Sequence, residues 1–476
     1  MLYPLFLVWL GLSLVNVAAD ASGLFGQYWP AYGSQKPQAF DWSRTDIGYY
    51  FVTKTDTTGF KIPKGQSVAA LKTFVSTAHS SKMAIKLEFK VGLRFGIRSF
   101  GAVARARVDI AETRSITKSA VRAGEDGHQR RRPVFLSGRY RRKAVFTIGG
   151  WTGSRYFSDR VATSSNRASL VAEIKTFLVK YDFDGVDLDW EYPGSQGIGC
   201  NKVRATDSAN YLVFLKALRA ALGSKKLITA AIGASGLIGA DGKPLANMSA
   251  FGAVFDIVNL MTYDVGGPWS PTSGPNCPLR TCESETSVVQ VIQALKKAGI
   301  PASKMMLGIP AYGYSYRVKS STLASKKIDG YVSRAYQAKT STTPKGSKTD
   351  SNAATTDVCG VRSSYYTGQW NYVDLISEGL LSSNGSVGLK GFTRYLDSCS
   401  ATPFLFNPKS KVMINYDDGY SAGQKTVSHF RPCVVILCTK TRPFGNSCRP
   451  PQAYAMSQGL KGVYTFDSTG FSTAGM

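Results

Sequence analysis

The chain has 476 residues, of which 43% are hydrophobic, 12% aromatic and 19% charged. This composition excludes a disordered or fibrous protein and predicts a globular protein with a sizeable core. Lys and Arg number 58 against 31 Asp and Glu, so the formal net charge is +27. Only three His occur, and the sequence has neither an HExxH motif nor paired CxxC motifs. These features argue against a zinc hydrolase centre, and the sequence implies no metal and no organic cofactor.

Residues 1–19 have the pattern of a secretory signal peptide, because the apolar stretch 5–15 is followed by small residues at positions 17–19. The alternative is an N-terminal anchor, but the apolar stretch is shorter than a membrane span. We therefore expect residues 20–476 to be secreted and extracellular, without membrane association after cleavage. In that oxidising compartment the eight Cys are expected to form disulfides, although the sequence leaves their pairing open.

Eight short apolar runs alternate with helix-like patterns along the chain. The predicted strands are Leu24–Trp29, Asp46–Phe51, Ala144–Ile148, Phe183–Trp190, Leu227–Ile232, Ile257–Met261, Met305–Ile309 and Gly462–Phe466. Apolar stripes with helical spacing lie between them, at residues 170–178, 212–222 and 288–295. This α/β alternation favours a (β/α)8 TIM barrel, although a doubly wound parallel sheet also fits it.

Two basic segments do not fit the alternation. Residues 84–142 carry 15 basic and 5 acidic residues, where a connection between helix and strand usually takes about 2–6 residues. Residues 426–452 carry four basic and no acidic residues, and their prolines interrupt a helix pattern that leads into the last strand. A polyanion-binding patch, a solvated loop and translated introns retained in a gene model are the three explanations. We favour introns, and we expect no nucleic-acid partner.

Three carboxylates alternate along one predicted strand, in the stretch FDGVDLDWEYP at residues 183–193. Asp187, Asp189 and Glu191 point to the same face, where a buried parallel strand normally carries Val, Ile or Leu. Burying and crowding these carboxylates is costly, and it raises the pKa of at least one until it can donate a proton. The alternative is a calcium-binding or surface acidic loop, but the interleaved apolar residues argue against it. Asp184 falls on the opposite face, where a structural role is expected.

This stretch resembles the DxxDxDxE signature of family 18 glycoside hydrolases, the chitinases and related endo-acting hexosaminidases. Three other segments agree with the family in order: FTIGGW at 146–151 with Gly149 and Gly150, NLMTYD at 259–264, and GIPAYG at 308–313. The resemblance covers residues 24–82, 143–425 and 453–471 and is strongest to secreted fungal chitinases. It implies a TIM barrel over residues 20–476 with a small α+β insertion after strand seven, at residues 317–411.

The resemblance also implies a substrate-assisted mechanism, which is an exception to the usual pair of catalytic carboxylates. Glu191 would be the general acid, and the 2-acetamido group of the sugar would attack the anomeric carbon with retention of configuration. Asp189 would orient the acetamide and stabilise the oxazolinium ion, and Asp187 would share a proton with Asp189. Tyr263 would donate a hydrogen bond to the acetamido carbonyl.

Further residues near the predicted strand ends are candidate substrate contacts, although any aromatic among them is equally consistent with the core. These candidates are Met261, Asp264, Trp151, Tyr192, Trp269, Tyr312 and Tyr464. The family usually has a Trp on the last strand as the floor of the cleavage subsite, and this sequence offers Tyr464 or Phe466 there. The chain also stops at Met476 without a helix after that strand, which suggests a fragment.

The resemblance therefore implies a monomeric, secreted, endo-acting chitinase that hydrolyses β-1,4 bonds between N-acetylglucosamine units of chitin and chitooligosaccharides. An endo-β-N-acetylglucosaminidase acting on N-glycans is one alternative, because it shares the signature. A catalytically weak, lectin-like chitin-binding protein is the other.

Overall fold

The computed structural model describes residues 23–33, 35–56, 59–62, 66–89, 134–425 and 454–466. The predicted signal peptide and the basic segment 426–452 lie outside these ranges, as do residues 90–133 of the other basic segment.

Eight parallel strands form a closed barrel, in which each strand pairs with the next one along the chain and the first strand pairs with the last. The strands are β1 (Leu24–Pro30), β2 (Ile47–Asp56), β3 (Lys143–Gly149), β4 (Gly185–Asp189), β5 (Leu227–Gly233), β6 (Ile257–Met261), β7 (Met305–Pro310) and β8 (Gly462–Phe466). A short strand, Gly59–Lys61, pairs antiparallel with the end of β2. The closed ring confirms the TIM barrel and excludes the doubly wound sheet, which would have two open edges.

Helices lie between the barrel strands. The α-helices are Val68–Ser80, Phe157–Ala162, Ser164–Tyr181, Asp207–Leu222, Ser249–Val254, Val288–Lys297, Gly419–Lys425 and Tyr454–Ser457, and the 3-10 turns are Pro37–Ala39 and Ala302–Lys304. Ser67, Thr163 and Ser287 cap three of the helices, since each hydroxyl accepts a hydrogen bond from a backbone N–H in the first turn. The buried stripe of the longest helix, Leu170, Ile174 and Leu178, packs into the layer between strands and helices.

An α+β insertion lies between β7 and β8. Its antiparallel sheet has the strand order Gln369–Asn371, Tyr312–Arg317, Val412–Asn415, Thr402–Asn407 and Thr393–Asp397, with the helix Tyr372–Ser377. Two short hairpins pair Lys326–Ile328 with Tyr331–Ser333, and Thr355–Thr356 with Arg362–Ser363. The sheet begins at Tyr312, five residues before the predicted insertion at 317, because Tyr312 already pairs with Asn371.

The ends of the first basic segment form a hairpin. Lys82–Phe89 pairs antiparallel with Val134–Arg141, from Lys82 opposite Arg141 to Phe89 opposite Val134. This hairpin belongs to a compact unit separate from the barrel. Arg142, which the predicted boundary placed in the insertion, instead belongs to the barrel unit and is buried.

Two disulfides join Cys200 to Cys359 and Cys282 to Cys399, and Cys277 is a buried free thiol. The prediction of disulfides is thus confirmed for four Cys, and three others lie outside the described residues. Within the described ranges, no helix combines the length and apolarity needed to cross a membrane.

Candidate active site

The three alternating carboxylates lie at the carboxyl end of β4. Asp187 and Asp189 are buried on the strand, and Glu191 follows it by two residues. The intervening Val186 and Leu188 are buried in the outer layer between strands and helices, whereas Asp187 contacts side chains inside the barrel. The period of two along the strand therefore directs the carboxylates into the barrel mouth.

Asp187 accepts hydrogen bonds from four side chains. Its Oδ2 accepts from the hydroxyls of Tyr28 (2.8 Å) and Thr147 (3.1 Å). Its Oδ1 accepts from the hydroxyl of Thr229 (2.6 Å) and the amide of Asn259 (3.4 Å). The donors come from β1, β3, β5 and β6, so this set of contacts exists only when the barrel is closed.

Burial raises the pKa of all three carboxyl groups. For Asp187 it raises the pKa to about 6, against the opposing effect of its hydrogen-bond donors. For Asp189, burial and the charges of Glu191 and Asp187 raise the pKa well above its usual range. For Glu191, burial and the charge of Asp264 raise the pKa to about 7, although a hydrogen bond with Tyr192 opposes the shift. The cluster therefore retains protons near neutral pH, and Glu191 can supply one.

Backbone contacts hold Asp189 and Glu191 in place. The carbonyl of Asp189 accepts from the N–H of Gly150 (2.8 Å) and from the hydroxyl of Ser154 (3.0 Å), which itself accepts from the N–H of Glu191 (3.0 Å). The amide of Asn201 donates to the carbonyl of Glu191 (2.6 Å). Gly149 has a φ of +114°, and a Cβ there would lie 2.1 Å from the Asp189 carbonyl oxygen. Sequence reasoning named both glycines but missed Ser154 and Asn201, which lack a distinctive motif.

Tyr263 and Asp264 follow β6 at the barrel mouth. The hydroxyls of Tyr263 and Tyr464 lie 3.2 Å apart. The carboxylate of Asp264 accepts from the hydroxyls of Tyr312 (3.0 Å) and Tyr314 (2.8 Å). Burial raises the pKa of Asp264, while these two hydroxyls act in the opposite direction. Tyr312 is buried, so its role here is to hold Asp264 rather than to present a ring face to a sugar.

Two of the predicted aromatic contacts have free ring faces. Trp151 after β3 is 49% exposed, and Trp269 after β6 is 61% exposed. The ring of Trp269 packs edge-on against Tyr314, with the ring centroids 5.1 Å apart. Both indoles are available to stack on a pyranose, because the contacts that hold them leave much of their surface in solvent.

Tyr464 does not fit the predicted role of a sugar-stacking residue. Its ring is fully buried inside the barrel, and its hydroxyl donates to the carbonyl of Leu260 (3.0 Å). Phe466 lies two residues further along β8, is half-buried and stacks parallel to Tyr263 with ring centroids 6.0 Å apart. The aromatic surface at the end of β8 is therefore that of Phe466.

The remaining predicted site residues lie at both ends of the barrel. Met261 ends β6 half-buried, and Tyr192 directly follows Glu191. Asp184 directly precedes β4, and its carboxylate accepts from the N–H of Ala144 (2.9 Å) and contacts Nε2 of His79 (3.0 Å). The fold thus separates Asp184 from the other three acidic residues of the motif.

The sequence is similar to a known family and to several characterised or curated proteins. The model of glycosyl hydrolases family 18 matches residues 138–430. A chitinase-like effector of Moniliophthora roreri is 39% identical over 293 residues, which are 60% of this chain and 70% of that protein. A chitinase-like effector of Moniliophthora perniciosa is 34% identical over 340 residues, or 70% and 72% of the two chains. A chitinase of Niallia circulans is 32% identical over 301 residues, or 60% of this chain and 38% of that protein.

Solved structures share the fold. A chitinase from Rhizomucor miehei superposes with a TM-score of 0.67 at 24% identity, over 94% of this chain and 96% of that one. A class V chitinase from Nicotiana tobaccum superposes with a TM-score of 0.60 at 18% identity, over 95% and 96%. Because the family model spans more than half of the sequence and includes the row of carboxylates on β4, this chain belongs to glycosyl hydrolases family 18.

Proposed function

We propose that the protein hydrolyses β-1,4 bonds between N-acetylglucosamine units of chitin and chitooligosaccharides. The observation that carries the proposal is the inward row of Asp187, Asp189 and Glu191, in which burial and Asp264 raise the pKa of Glu191 to about 7. The names of several relatives and structural neighbours, which are chitinases, support this substrate class. We also propose that the protein acts as a secreted, extracellular monomer.

In this mechanism Glu191 donates its proton to the glycosidic oxygen as the bond to the anomeric carbon breaks. The acetamido carbonyl oxygen of the same sugar forms the new bond to that carbon, which yields an oxazolinium ion and a free sugar hydroxyl. Glu191, now a carboxylate, removes a proton from water as the water opens the oxazolinium. Both steps occur at the anomeric carbon with inversion, so the configuration is retained overall.

The neighbouring residues act on the acetamido group. Asp189 has a buried Oδ1 without a protein partner among the described residues, so this oxygen is free to accept the acetamido N–H and to stabilise the positive charge. The charge of Asp187 acts on Asp189 by raising its pKa. Tyr263, whose hydroxyl donates to that of Tyr464 in the absence of substrate, turns this proton to the acetamido oxygen when the sugar binds.

Replacing Glu191 by Gln tests this assignment. The amide keeps the shape of the side chain but has no transferable proton, so hydrolysis of a soluble N-acetylglucosamine tetramer is expected to fall about 10²–10⁴-fold. Tetramer binding, measured by calorimetry, is expected to stay close to that of the unchanged protein. A parallel loss of binding, or full activity of Glu191→Gln, would contradict the assigned role.

A second candidate is a chitin-binding protein with weak or no turnover. Two specific observations favour it: the Moniliophthora relatives are named chitinase-like effectors, and Phe466 offers a smaller stacking surface than Trp. Folded protein that binds the tetramer without cleaving it would establish this function. Cleavage of high-mannose glycopeptides in preference to the tetramer would instead establish the endo-β-N-acetylglucosaminidase.

A further inference from the structure

A short segment of the α+β insertion extends away from its sheet. Residues 351–366, which we call the strap, contain the hairpin of Thr355–Thr356 and Arg362–Ser363. The carboxylate of Asp350 holds the base of the strap together, because it accepts from the N–H groups of Gly346 (2.7 Å), Thr367 (3.0 Å) and Gly368 (3.0 Å). The strap thus leaves the insertion and returns to it at one point.

The tip of the strap is fixed to loops that belong to other parts of the barrel. Cys359 forms the disulfide with Cys200, which lies in the loop after β4. The carbonyl of the adjacent Val358 accepts from Nη1 of Arg155 (2.8 Å), which lies in the loop after β3. These two loops also contact each other, since the N–H of Lys202 donates to the carbonyl of Arg155 (3.0 Å).

The positions of these strands in the ring define what the strap spans. In the closed ring of eight strands, β3 lies opposite β7, and β4 lies opposite β8. The base of the strap lies beside the end of β7, because residues 369–371, which follow it, pair with residues 312–314 directly after that strand. The tip is attached to the loops after β3 and β4. Its two attachments therefore lie on opposite sides of the barrel mouth, where Asp189 and Glu191 are located.

The disulfide makes this connection permanent. A loop held by hydrogen bonds can lift to admit the middle of a polymer, but the bond from Cys200 to Cys359 closes a covalent ring through β5, β6 and β7. A polysaccharide that passes between the strap and the barrel must then thread through this ring.

The geometry points to a roofed substrate passage, in which the strap compels a polysaccharide to enter by a chain end. This inference rests on the proposed function, because it concerns how chitin reaches Glu191. It replaces the expectation of endo action with attack from chain ends.

Opening the strap tests the inference. One variant carries Cys200→Ser and Cys359→Ser, a second replaces residues 355–363 by Gly-Ser, and the matched control carries Cys282→Ser and Cys399→Ser. Each folded protein is assayed on the soluble N-acetylglucosamine tetramer and on long-chain glycol chitin. For the polymer, the fall in viscosity is plotted against the number of new reducing ends.

We expect the unchanged protein and the control to release many reducing ends for little loss of viscosity, as chain-end attack does. Both opened variants are expected to lower the viscosity several-fold more per bond cleaved, because they admit internal segments, and to keep tetramer hydrolysis. The shortened strap provides the same comparison if the double Ser variant does not fold.

Equal viscosity loss per bond in the unchanged and opened proteins would overturn the strap inference, while tetramer cleavage would still uphold the proposed function. Failure of the folded, unchanged protein to cleave the tetramer would overturn the proposed function, and the strap inference with it.

Discussion

Burial, a hydrogen bond with Tyr192 and the charge of Asp264 set the proton affinity of Glu191. Together with Asp264, burial raises the pKa of this carboxyl to about 7. Because cleavage begins with protonated Glu191, the rate must fall as the pH rises through that value. Asp264 does not need to touch the substrate to have this effect, since its charge acts across the site.

Asp264→Asn is therefore expected to shift the alkaline limb of the kcat/KM profile to lower pH. The variant removes a negative charge that disfavours ionisation of Glu191, so the pKa of Glu191 falls and its acid form is lost earlier. The measurement is tetramer hydrolysis across the pH range, with Asp241→Asn on an exposed loop as the matched control. A limb that stays in place or moves to higher pH would contradict the role of Asp264.

The residues around Asp187 illustrate what a sequence pattern can and cannot predict. Alternation along one strand indicates that Asp187 and its neighbours share a face, because that relation is local. The donors that surround Asp187 are not local: Tyr28 lies 159 positions away. The sequence pattern also does not show how deeply a side chain lies in the barrel. Tyr464 and Phe466 share a face of β8, yet Tyr464 is buried inside the barrel and Phe466 lies at its mouth.

At the scale of elements, β4 is anchored at one end and reactive at the other. Asp184 at its start accepts from the N–H of Ala144 on β3 and contacts His79 at the end of the helix Val68–Ser80. These contacts fix the strand relative to its neighbours. The same strand then carries Asp189 into the mouth, so the position of the reactive end depends on the anchored one.

Asp184→Asn is expected to lower the free energy of unfolding by about 1–3 kcal/mol, because the buried acceptor loses its charge opposite His79 and Lys143. Urea unfolding measures this change. Tetramer turnover by the folded fraction should stay near that of the unchanged protein. A variant of unchanged stability that has lost activity would show that Asp184 acts in catalysis instead.

The sequence pattern predicted the bounds of the barrel strands well, but it did not predict that these strands close into a barrel. The predicted run Ile257–Met261 matches β6, and Gly462–Phe466 matches β8, because short apolar runs between turns mark buried strands. β2 extends to Asp56, beyond the predicted Phe51, since its end pairs with Gly59–Lys61. Closure depends on the pairing of β1 with β8, a contact between chain ends that the alternation cannot reveal and that only the family resemblance implied.

At the scale of the whole molecule, the two ends of the first basic segment pair with each other. Lys82 pairs with Arg141, so the backbone diverges and returns at one point. Arg142 marks the return: its guanidinium is buried, binds Asp46 (2.6 Å) and donates to the carbonyl of Ser43 (2.8 Å). The segment that the barrel does not use is therefore 82–141 rather than 84–142, and we retain the hypothesis that it is a translated intron.

Deleting residues 82–141, so that Ser81 joins Arg142, is expected to leave a protein that melts cooperatively and cleaves the tetramer. Lys82 and Arg141 are paired, and antiparallel partners lie only about 5 Å apart, so Ser81 and Arg142 directly beside them can be joined across a small gap. A matched deletion of 82–142 also removes Arg142. It leaves the buried Asp46 with the N–H of Phe25 but without its charged partner, and should cost about 3–5 kcal/mol more. An unfolded product from the shorter deletion, beside a soluble and active full chain, would show that the segment is needed. Transcripts that all retain its coding sequence would exclude an intron, whereas spliced transcripts would identify the shortened chain as the natural enzyme.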